Sequence, residues 1–432
     1  MDNSIIIVGA GAAGLMAAAE LSAVGYHVTI LEAQSRAGGR IHTLDDGSFS
    51  CIAEAGAEFV HGPLPFTTSL LREAGIPLQT FDGEIWEHNS GDMEEDETFV
   101  EMDKAFKQTL EELDEDITVT AFFDKYFPGA EHAATKESLT RYIEGYEAAD
   151  IHKASMLALK GDLLQPQEEQ YRPATGYRPM VAHLLDKCLL NGCVIKYAAP
   201  VTEIHWQRGK AKVVTPGANY TAGKVLLTIP LGVLQLQAGD TGHIRFQPEI
   251  TAKVQAAQHI GWGTVIKVLF EFSRPFWRED SIMGKLGKNT KGLGFIFSQQ
   301  PIPTWWTQLP EKNSLLTGWL AGPAAGRLNG AADKEIETIA LQSLATIFQL
   351  QEAEVRAMLT ASKIVNWQAM PYIKGAYAYK MVNSEAAVNE LRQPLEGTIF
   401  FAGEAIYTGP YAGTVEAALA SAVNVVKDIC SS

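Results

Sequence analysis

A short unit at the start of the chain constrains the fold more than any other stretch. Residues 5–8 form a wholly apolar, β-branched run, which is typical of a buried parallel strand. Gly9, Gly11 and Gly14 follow in G-x-G-x-x-G spacing, and the segment rich in alanine and leucine after them favours a helix. A second apolar strand begins at His27. This order predicts a βαβ unit within a parallel sheet.

Each position of this motif has a physical role in binding a dinucleotide. Gly9 permits the tight turn, Gly11 lets a pyrophosphate approach the backbone, and Gly14 lets the helix pack against the strand. Ala13 lies in the helical turn that offers free N–H groups to the phosphates. Glu32 follows Gly14 at close to the sequence separation expected for a carboxylate that bonds a ribose hydroxyl. An acidic residue at this position disfavours NADP. The alternative is a glycine-rich turn in an ordinary βαβ unit.

Length and composition bound the class of protein. A chain of 432 residues with 46% hydrophobic and 20% charged residues predicts a globular protein of two or three domains. The net charge of −16 disfavours nucleic acid and favours a cationic substrate. The four cysteines have no metal-site spacing, so we expect free thiols and no metal. Without a signal sequence or a long apolar run, we expect a cytoplasmic protein that does not span a membrane.

Two further glycine-containing segments carry a family resemblance. Arg36–Arg40 (RAGGR) places two glycines between arginines and resembles the second dinucleotide motif of the flavin amine oxidase family. Glu54–Gly62 (EAGAEFVHG) is similar to the family's G-A-x-[FW]-[VI]-x-G segment, which passes the flavin ring. The resemblance implies that FAD is the cofactor and that these two segments contact it through Gly39, Arg40, Gly56, Ala57, Glu58 and Phe59.

The same segment bears on the substrate. His61-Gly62-Pro63 resembles the acetylpolyamine and spermine oxidases, in which a histidine faces the substrate. The alternative is a surface-loop histidine without a role. L-amino-acid oxidases place an arginine near the position of Phe59 to hold the substrate carboxylate, so an aromatic residue there disfavours that activity.

Lys267 lies within an apolar stretch that predicts a strand over residues 264–272. Burying an ammonium among such neighbours is costly, so Lys267 should have a partner or a role. The amine oxidases carry a lysine in a similar V-I-K strand before P-F-W, and there it holds a water against flavin N5. The resemblance implies this role for Lys267, and the alternative is a strand lysine whose ammonium reaches solvent.

The segment from Trp367 to Tyr379 resembles the family's W-x(4)-Y-x-x-G-x-Y. By that resemblance Trp367 contacts the cofactor and Tyr377 forms an aromatic wall at the flavin. Ala376 falls where the mitochondrial monoamine oxidases carry the cysteine that bonds the flavin. Because a methyl group cannot form a thioether, we expect non-covalent FAD.

The C-terminal stretch gives the strongest match to the family. A buried strand ends in Gly403-Glu404, and Thr414-Val415 opens the last helix, whose N-terminus would point at the pyrimidine end of the flavin. Thr414 replaces a second cage tyrosine, for which Tyr411 or Tyr407 could substitute.

Residues 228–234 match the pattern T-[IV]-P-L-G-V-L. This pattern is similar to the segment with which the chain re-enters the flavin domain in the family. By that resemblance Val201, earlier in the chain, touches the adenine.

The least matched region is predicted to be a mostly helical insertion. Residues 92–97 and 111–116 are acidic runs, which indicate a solvated helix face, or alternatively a negative rim that attracts amines. Glu144 or Glu147 could hold a distant ammonium.

The predicted fold class is α/β plus α+β. A discontinuous Rossmann-like FAD-binding domain would comprise 1–80, 174–245 and 385–432. The inserted substrate-binding domain of an amine oxidase fold would comprise 81–173 and 246–384.

The resemblance implies FAD-dependent oxidation of an amine to an imine, with hydride transfer to flavin N5. The imine would hydrolyse to an aldehyde plus ammonia or a smaller amine, and O2 would reoxidise the flavin to give H2O2. A polyamine or a primary or secondary amine is favoured, and we expect a monomer or homodimer. The alternatives are an L-amino-acid oxidase, a carbon–carbon desaturase, and a flavin-binding protein without turnover.

Overall fold

A computed structural model describes residues 2–89, 91–96, 100, 102–165 and 169–431. Its strands are β1 (Ser4–Val8), β2 (His27–Leu31), β3 (Thr43–Leu44), β4 (Ala53–Glu54), β5 (Val60–His61), β6 (Leu78–Thr80), β7 (Glu84–Asn89), β8 (Asp92–Asp96), β9 (Gln170–Pro173), β10 (Val194–Lys196), β11 (Glu203–Gln207), β12 (Lys210–Val214), β13 (Asn219–Ala222), β14 (Lys224–Leu227), β15 (Arg245–Gln247), β16 (Gly261–Trp262), β17 (Val265–Phe272), β18 (Leu293–Ser298), β19 (Thr304–Trp306), β20 (Leu315–Ala321), β21 (Leu359–Asn366), β22 (Ala378–Tyr379) and β23 (Ile399–Phe401).

The α-helices of the described residues follow in chain order. They are α1 (Ala12–Ala23), α2 (Pro65–Glu73), α3 (Lys104–Glu112), α4 (Val119–Tyr126), α5 (Ala133–Gly145), α6 (Met156–Leu164), α7 (Arg178–Leu190), α8 (Leu231–Leu234), α9 (Thr251–Gln258), α10 (Asp280–Leu286), α11 (Gly322–Arg327), α12 (Asp333–Ile347), α13 (Glu352–Met358), α14 (Ser384–Arg392) and α15 (Val415–Cys430).

A parallel sheet gathers strands from the beginning, middle and end of the chain. Its order is β10-β2-β1-β14-β23, and each neighbouring pair is parallel. Along β1, Ile5 and Ile7 pack in the core under α1, α7 and α15, whereas Ile6 and Val8 pack in the core under β11 and β12. Both faces of the strand are therefore covered, which is why its sequence is continuously apolar. The predicted βαβ unit is confirmed.

A second, larger sheet contains seven strands. Its order is β21-β17-β20-β19-β18-β7-β8, and its centre is antiparallel. Along β17, Ile266 and Val268 face the core that α12 covers, whereas Val265 and Leu269 face the core that contains Trp367. By the alternation of a strand, Lys267 lies on the same face as Val265 and Leu269.

The prediction of a mostly helical insertion that begins with an acidic helix is wrong for the first acidic run. Asp92–Asp96 is β8, an edge strand paired with β7, while Glu97 lies outside the described residues. Met93 is buried and the acids beside it are exposed, because an edge strand keeps charges in solvent. The acidic run indicated solvation but not the type of secondary structure. The second run, 111–116, extends past the end of α3.

Helices α3, α4, α5 and α6 do form a layer with its own aromatic core around Phe106 and Phe122. A three-stranded sheet has the order β5-β9-β6. Its central strand β9 carries Arg172 next to the segment that ends at His61. In the described part of the chain, no helix has both the length and the hydrophobicity that crossing a membrane requires.

Candidate active site

The turn between β1 and α1 has the geometry that the glycine motif predicts. Gly9 has a φ of +108°, and a Cβ on Gly14 would lie 2.0 Å from the carbonyl oxygen of Gly9. A Cβ on Gly11, in contrast, would meet no described atom within 4 Å. Gly14 is thus required by packing inside the protein, whereas Gly11 borders open space at the N-terminus of α1. Ala13 lies in the first turn of this helix.

Glu32 lies at the end of β2 beside this helix terminus. Its carboxylate accepts hydrogen bonds from the backbone N–H of Ala10 at 2.7 Å and of Gln34 at 2.8 Å. Burial raises the pKa of Glu32, although these backbone donors act in the opposite direction. The carboxylate is therefore fixed at the strand end, where the sequence predicts a ribose contact.

The second glycine loop packs directly on the first. The N–H of Gly38 donates to the carbonyl of Ala10 at 2.8 Å, and a Cβ on Gly39 would lie 3.4 Å from the Cα of Gly11. The guanidinium of Arg36 donates to backbone carbonyls of its own loop, including that of Gly39 at 2.7 Å. Arg36 therefore shapes the loop.

Arg40 joins three of the family-like segments. Its guanidinium donates to Glu404 Oε1 at 2.8 Å and to the carbonyl of Ala376, and it lies 5.0 Å from the ring centroid of Trp262. A Cβ on Gly56 would lie 1.8 Å from the carbonyl oxygen of Arg40. The backbone at residues 40 and 56 is thus in close contact, which leaves no room for a side chain at Gly56.

The structure also describes the surroundings of the other predicted cofactor residues. Trp367 is buried and donates its indole N–H to the carbonyl of Ala55 at 3.1 Å. A Cβ on Gly403 would meet no described atom within 4 Å. Thr414 caps α15 by accepting a hydrogen bond from the N–H of Ala417, with Val415 as the first helical residue. Val201 is buried on the β11 side of the parallel sheet.

These observations fit a dinucleotide cofactor. Two glycines, Gly11 and Gly403, border open space, and among the described residues no side chain caps the N-terminus of α1. The free N–H groups of that terminus suit a pyrophosphate, and Glu32 beside them suits a ribose. Gly56 has no side chain and Ala57 has only a methyl group, which suits a close approach of the backbone to a ring.

Lys267 has its partner inside the protein. The Nζ atom lies 2.5 Å from Glu58 Oε2 and 3.1 Å from the carbonyl oxygen of Gly56. Glu58 Oε1 also lies 2.6 Å from the guanidinium of Arg172 and accepts the indole N–H of Trp306 at 3.0 Å. One carboxylate thus faces two cations, and the Lys267 and Glu58 side chains are 1% and 3% exposed. We call Glu58, Arg172, Lys267 and Trp306 the buried ion cluster.

Two buried glutamates four residues apart have opposite properties. Burial acts to raise the pKa of Glu58, but Lys267 and Arg172 outweigh it, so the pKa of Glu58 is lowered. Burial raises the pKa of Glu54 to about 7. Thr43 and Tyr177 donate hydrogen bonds that lower this pKa, but both donors are uncharged and do not outweigh burial. The partners, rather than the depth, decide which carboxylate is ionised.

Phe59 connects the buried ion cluster with an aromatic group. Its ring lies 5.8 Å from that of Trp306 and 6.1 Å from that of His61, and the guanidinium of Arg172 lies 5.5 Å from its centroid. An arginine is therefore present next to the position at which L-amino-acid oxidases place one. Because Arg172 is bonded to Glu58 and Gln308, its charge is already paired.

Tyr377 lies in a set of aromatic residues from three segments. Its hydroxyl donates to the carbonyl of Tyr146, whose own hydroxyl lies 3.3 Å from His61 Nδ1. The Tyr142 and Tyr146 rings stack with centroids 5.1 Å apart. Burial lowers the pKa of His61, which favours the neutral imidazole.

An acidic side chain lies beside these rings. Burial raises the pKa of Glu147 to about 7, with a further contribution from Asp162. Burial raises the pKa of Tyr377 well above its usual value, and the nearby Glu147 carboxylate adds to this effect. We call His61, Tyr142, Tyr146, Glu147 and Tyr377 the aromatic pocket. Sequence reasoning named three of these five residues but had no signal that grouped them.

Sequence reasoning also missed two members of the buried ion cluster, Arg172 and Trp306. The only signal for Arg172 was its place in a turn-rich stretch, and Trp306 had none. Within the described residues, no group of three or more histidine, cysteine or acidic side chains has the geometry of a metal site.

Comparisons with known proteins agree with this geometry. The model of the flavin containing amine oxidoreductase family matches residues 12–430. Polyamine oxidase 2 of Arabidopsis thaliana is 26% identical, over 98% of this chain and 87% of its own length. Lysine-specific histone demethylase 2 of Homo sapiens is 28% identical, over 94% of this chain, which spans about half of that longer protein.

Solved structures share the fold. Putrescine oxidase bound to putrescine superimposes with a TM-score of 0.79 at 21% identity, covering 99% of both chains. Cyclohexylamine oxidase from Brevibacterium oxydans IH-35A gives 0.78 at 18% identity, covering 99% of this chain and 100% of its own. The fold is therefore the FAD-binding amine oxidase fold, and the predicted cofactor and enzyme class are confirmed. This chain belongs to the flavin-containing amine oxidoreductase family.

Proposed function

We propose that this enzyme binds FAD non-covalently and oxidises diamines or polyamines in the aromatic pocket. The observation that carries the proposal is the Glu147 carboxylate, which is close enough to Tyr377 and Tyr142 to raise the pKa of both. Aromatic faces and a carboxylate together suit an amine with a second, cationic nitrogen. The names of the similar polyamine and putrescine oxidases support the same substrate class.

The chain's own residues would bind the cofactor and position the amine. When bound, FAD supplies the acceptor for the hydride of the amine. Gly11 and Ala13 would hold its pyrophosphate, Glu32 its ribose, and Gly56 and Ala57 would line its ring. Non-covalent binding is expected because Ala376, where some relatives carry a linking cysteine, has only a methyl group.

The aromatic pocket would orient the substrate and exclude water. Tyr377 is held by its bond to the Tyr146 carbonyl, and the Tyr146 hydroxyl faces His61 Nδ1. A neutral His61 would not repel an ammonium, whereas an ionised Glu147 would attract the distal one. Lys267 would hold a water molecule by donating a hydrogen bond to it from its ammonium group.

The test is anaerobic mixing with amines while the absorbance of the oxidised flavin is followed. We expect putrescine, spermidine and spermine to bleach the flavin faster than benzylamine or tyramine. Glu147→Gln should weaken the binding of putrescine about tenfold, because a charge-assisted hydrogen bond contributes about 1.5–3 kcal/mol. It should leave benzylamine unchanged, since that amine has no second nitrogen.

Glu144→Gln is the matched control. Glu144 lies in the last turn of α5, three residues before Glu147. Its charged neighbours are Asp150, Arg327 and His152. Equal effects of the two variants on putrescine would refute the assignment of Glu147. Bleaching by leucine or phenylalanine alone would favour an L-amino-acid oxidase, and no bleaching by any amine would refute the proposed substrate class.

A further inference from the structure

The most unusual feature of the interior is the buried ion cluster. Lys267 is almost fully buried in the middle of β17, and the residues opposite it on the adjacent strands, Trp319 and Val365, carry no charge. The charged groups that face it come from other segments. They are Glu58 in direct contact, Arg172 through the same carboxylate, and Glu54 at longer range.

Glu58 has two further partners besides Lys267, and both hold its carboxylate in place. Its Oε1 atom lies 2.6 Å from the Arg172 guanidinium and accepts the Trp306 indole N–H, which leaves Oε2 to Lys267. The Trp306 ring also lies 5.5 Å from Lys267 Nζ. The carboxylate therefore cannot turn away from the lysine without losing an ion pair and a hydrogen bond in the protein interior.

The ammonium of Lys267 has three N–H bonds. The described residues supply two acceptors, Glu58 Oε2 and the carbonyl of Gly56. Both acceptors come from the segment that is expected to pass the flavin ring. One N–H bond is left whose direction is fixed by the other two.

We propose that Glu58 is the positioning residue for Lys267: it keeps the ammonium charged in a buried site and aims its remaining N–H at the reaction centre. Arg172 and Trp306 hold Glu58 in this arrangement. The inference rests on the proposed function in one respect, since it requires bound FAD with Lys267 beside it. It adds that the Lys267 ammonium assists the reoxidation of the flavin by O2.

Glu58→Gln is the main test. It leaves Lys267 and Arg172 as two buried cations without a counter-charge, so desolvation and repulsion both favour the neutral amine. The rate of flavin reoxidation by O2 should then acquire a new dependence on pH, falling about tenfold as the pH rises, because a lysine without its counter-charge loses its proton at lower pH. In the wild type this loss should be absent.

The measurement uses holoenzyme whose flavin has been reduced by dithionite, so it requires no amine. The experiment therefore remains valid even if the enzyme does not oxidise diamines or polyamines. An inflection near pH 7 that is common to all variants would belong to Glu54. The double variant Glu58→Gln/Lys267→Met should lose the new inflection, which assigns it to the lysine.

A second readout does not depend on activity. Suppose that Lys267 is neutral in the folded Glu58→Gln variant. At a pH below the normal pKa of lysine, the unfolded chain then binds one proton more than the folded protein does. The free energy of unfolding should therefore rise with pH between 7 and 10 more steeply than in the wild type. Denaturant titration of the holoenzyme at several pH values measures this.

Glu271→Gln is the matched control. Glu271 is a buried carboxylate on the same strand as Lys267, and it bonds the neutral Ser50. Its removal should leave the pH profile of reoxidation unchanged. A Glu58→Gln holoenzyme with the same rate and profile as Glu271→Gln would overturn the proposal.

Glu58→Asp separates charge from reach. It restores the counter-charge but shortens the side chain, so the profile should again resemble that of the wild type while the rate is lower at every pH. If Glu58→Gln fails to fold, this variant decides alone. A Glu58→Asp enzyme with the wild-type rate would show that the position of Lys267 does not depend on Glu58.

Discussion

The nucleotide end and the reaction end of this site are built in different ways. The nucleotide end uses backbone: Gly11 and Gly39 in close contact, and Glu32 fixed by two N–H groups. These three residues lie within the first forty of the chain. The reaction end uses side chains, and Glu58, Arg172, Lys267, Trp306 and Tyr377 come from five separate segments.

The difference teaches where a sequence carries its information. A backbone site needs glycines at fixed spacing, because only they permit the turns and approaches, and this spacing is visible in one stretch. A side-chain site needs opposite charges brought together by the fold. Its members have no fixed spacing, so the two ends should also respond differently to substitution.

The largest effect is expected at the nucleotide end from Gly14→Ala. The new Cβ would lie 2.0 Å from the Gly9 carbonyl oxygen, and backbone cannot move away without separating α1 from the sheet. We expect a loss of about 3 kcal/mol in the free energy of unfolding, and loss of FAD. Gly11→Ala is the control and should cost about 1 kcal/mol or less while still weakening FAD binding. Equal destabilisation by both would contradict the assigned roles.

The pH dependence of stability separates the two buried glutamates. The folded pKa of Glu54 is raised to about 7. Between pH 4.5 and 7 the unfolded chain loses a proton that the folded protein keeps, so stability from this group is present at low pH and is lost as pH rises through this window. Glu54→Gln should reduce the fall in unfolding free energy between pH 5 and 8 by about 3 kcal/mol. Denaturant titration measures this, and unchanged slopes would be the contrary result.

Lys267→Met tests the reaction end alone. Loss of the ammonium should slow flavin reoxidation about a hundredfold, since removal of one preorganised donor from an active site typically costs that much. The FAD content per chain should stay the same, because the nucleotide end is untouched. Stopped-flow absorbance and flavin extraction measure the two quantities. Loss of FAD with unchanged reoxidation would mean that the two ends are not separable in this way.

The smallest effect is expected from Tyr377→Phe. The variant keeps the aromatic wall and loses the hydroxyl that donates to the Tyr146 carbonyl. A single hydrogen bond contributes about 1 kcal/mol, so flavin reduction by amine should slow about fivefold. Tyr379→Phe, two residues later in β22, serves as the control and should have no effect. A similar decrease in both variants would argue against a specific role for Tyr377.

Local patterns predicted the fold well where one stretch forms one buried element. Strand β2 begins at His27, as predicted, and α1 occupies the segment rich in alanine and leucine, because apolar continuity and alanine content depend on neighbours in the chain. The acidic run at residues 92–96 failed as a helix prediction because charge reports exposure, and an edge strand is as exposed as a helix face.

The candidate site divides along the same line. The sequence suggested that Lys267 needs a partner but could not choose one among the many acidic residues, and it assigned Glu58 to the cofactor. The placement of β17 beside the segment 56–58 decided the pair. Arg172 became part of the cluster only because β9 pairs with β5.

The sequence by itself determined the βαβ unit, the dinucleotide motif and the family, since each depends on residue types at short, fixed spacing. Tertiary structure alone decided which glutamate is ionised, which tyrosines surround Glu147, and which carboxylate faces Lys267. The physical reason is that a pKa or an ion pair depends on distance and burial in space, and residues far apart in the chain acquire these only when the sheets assemble.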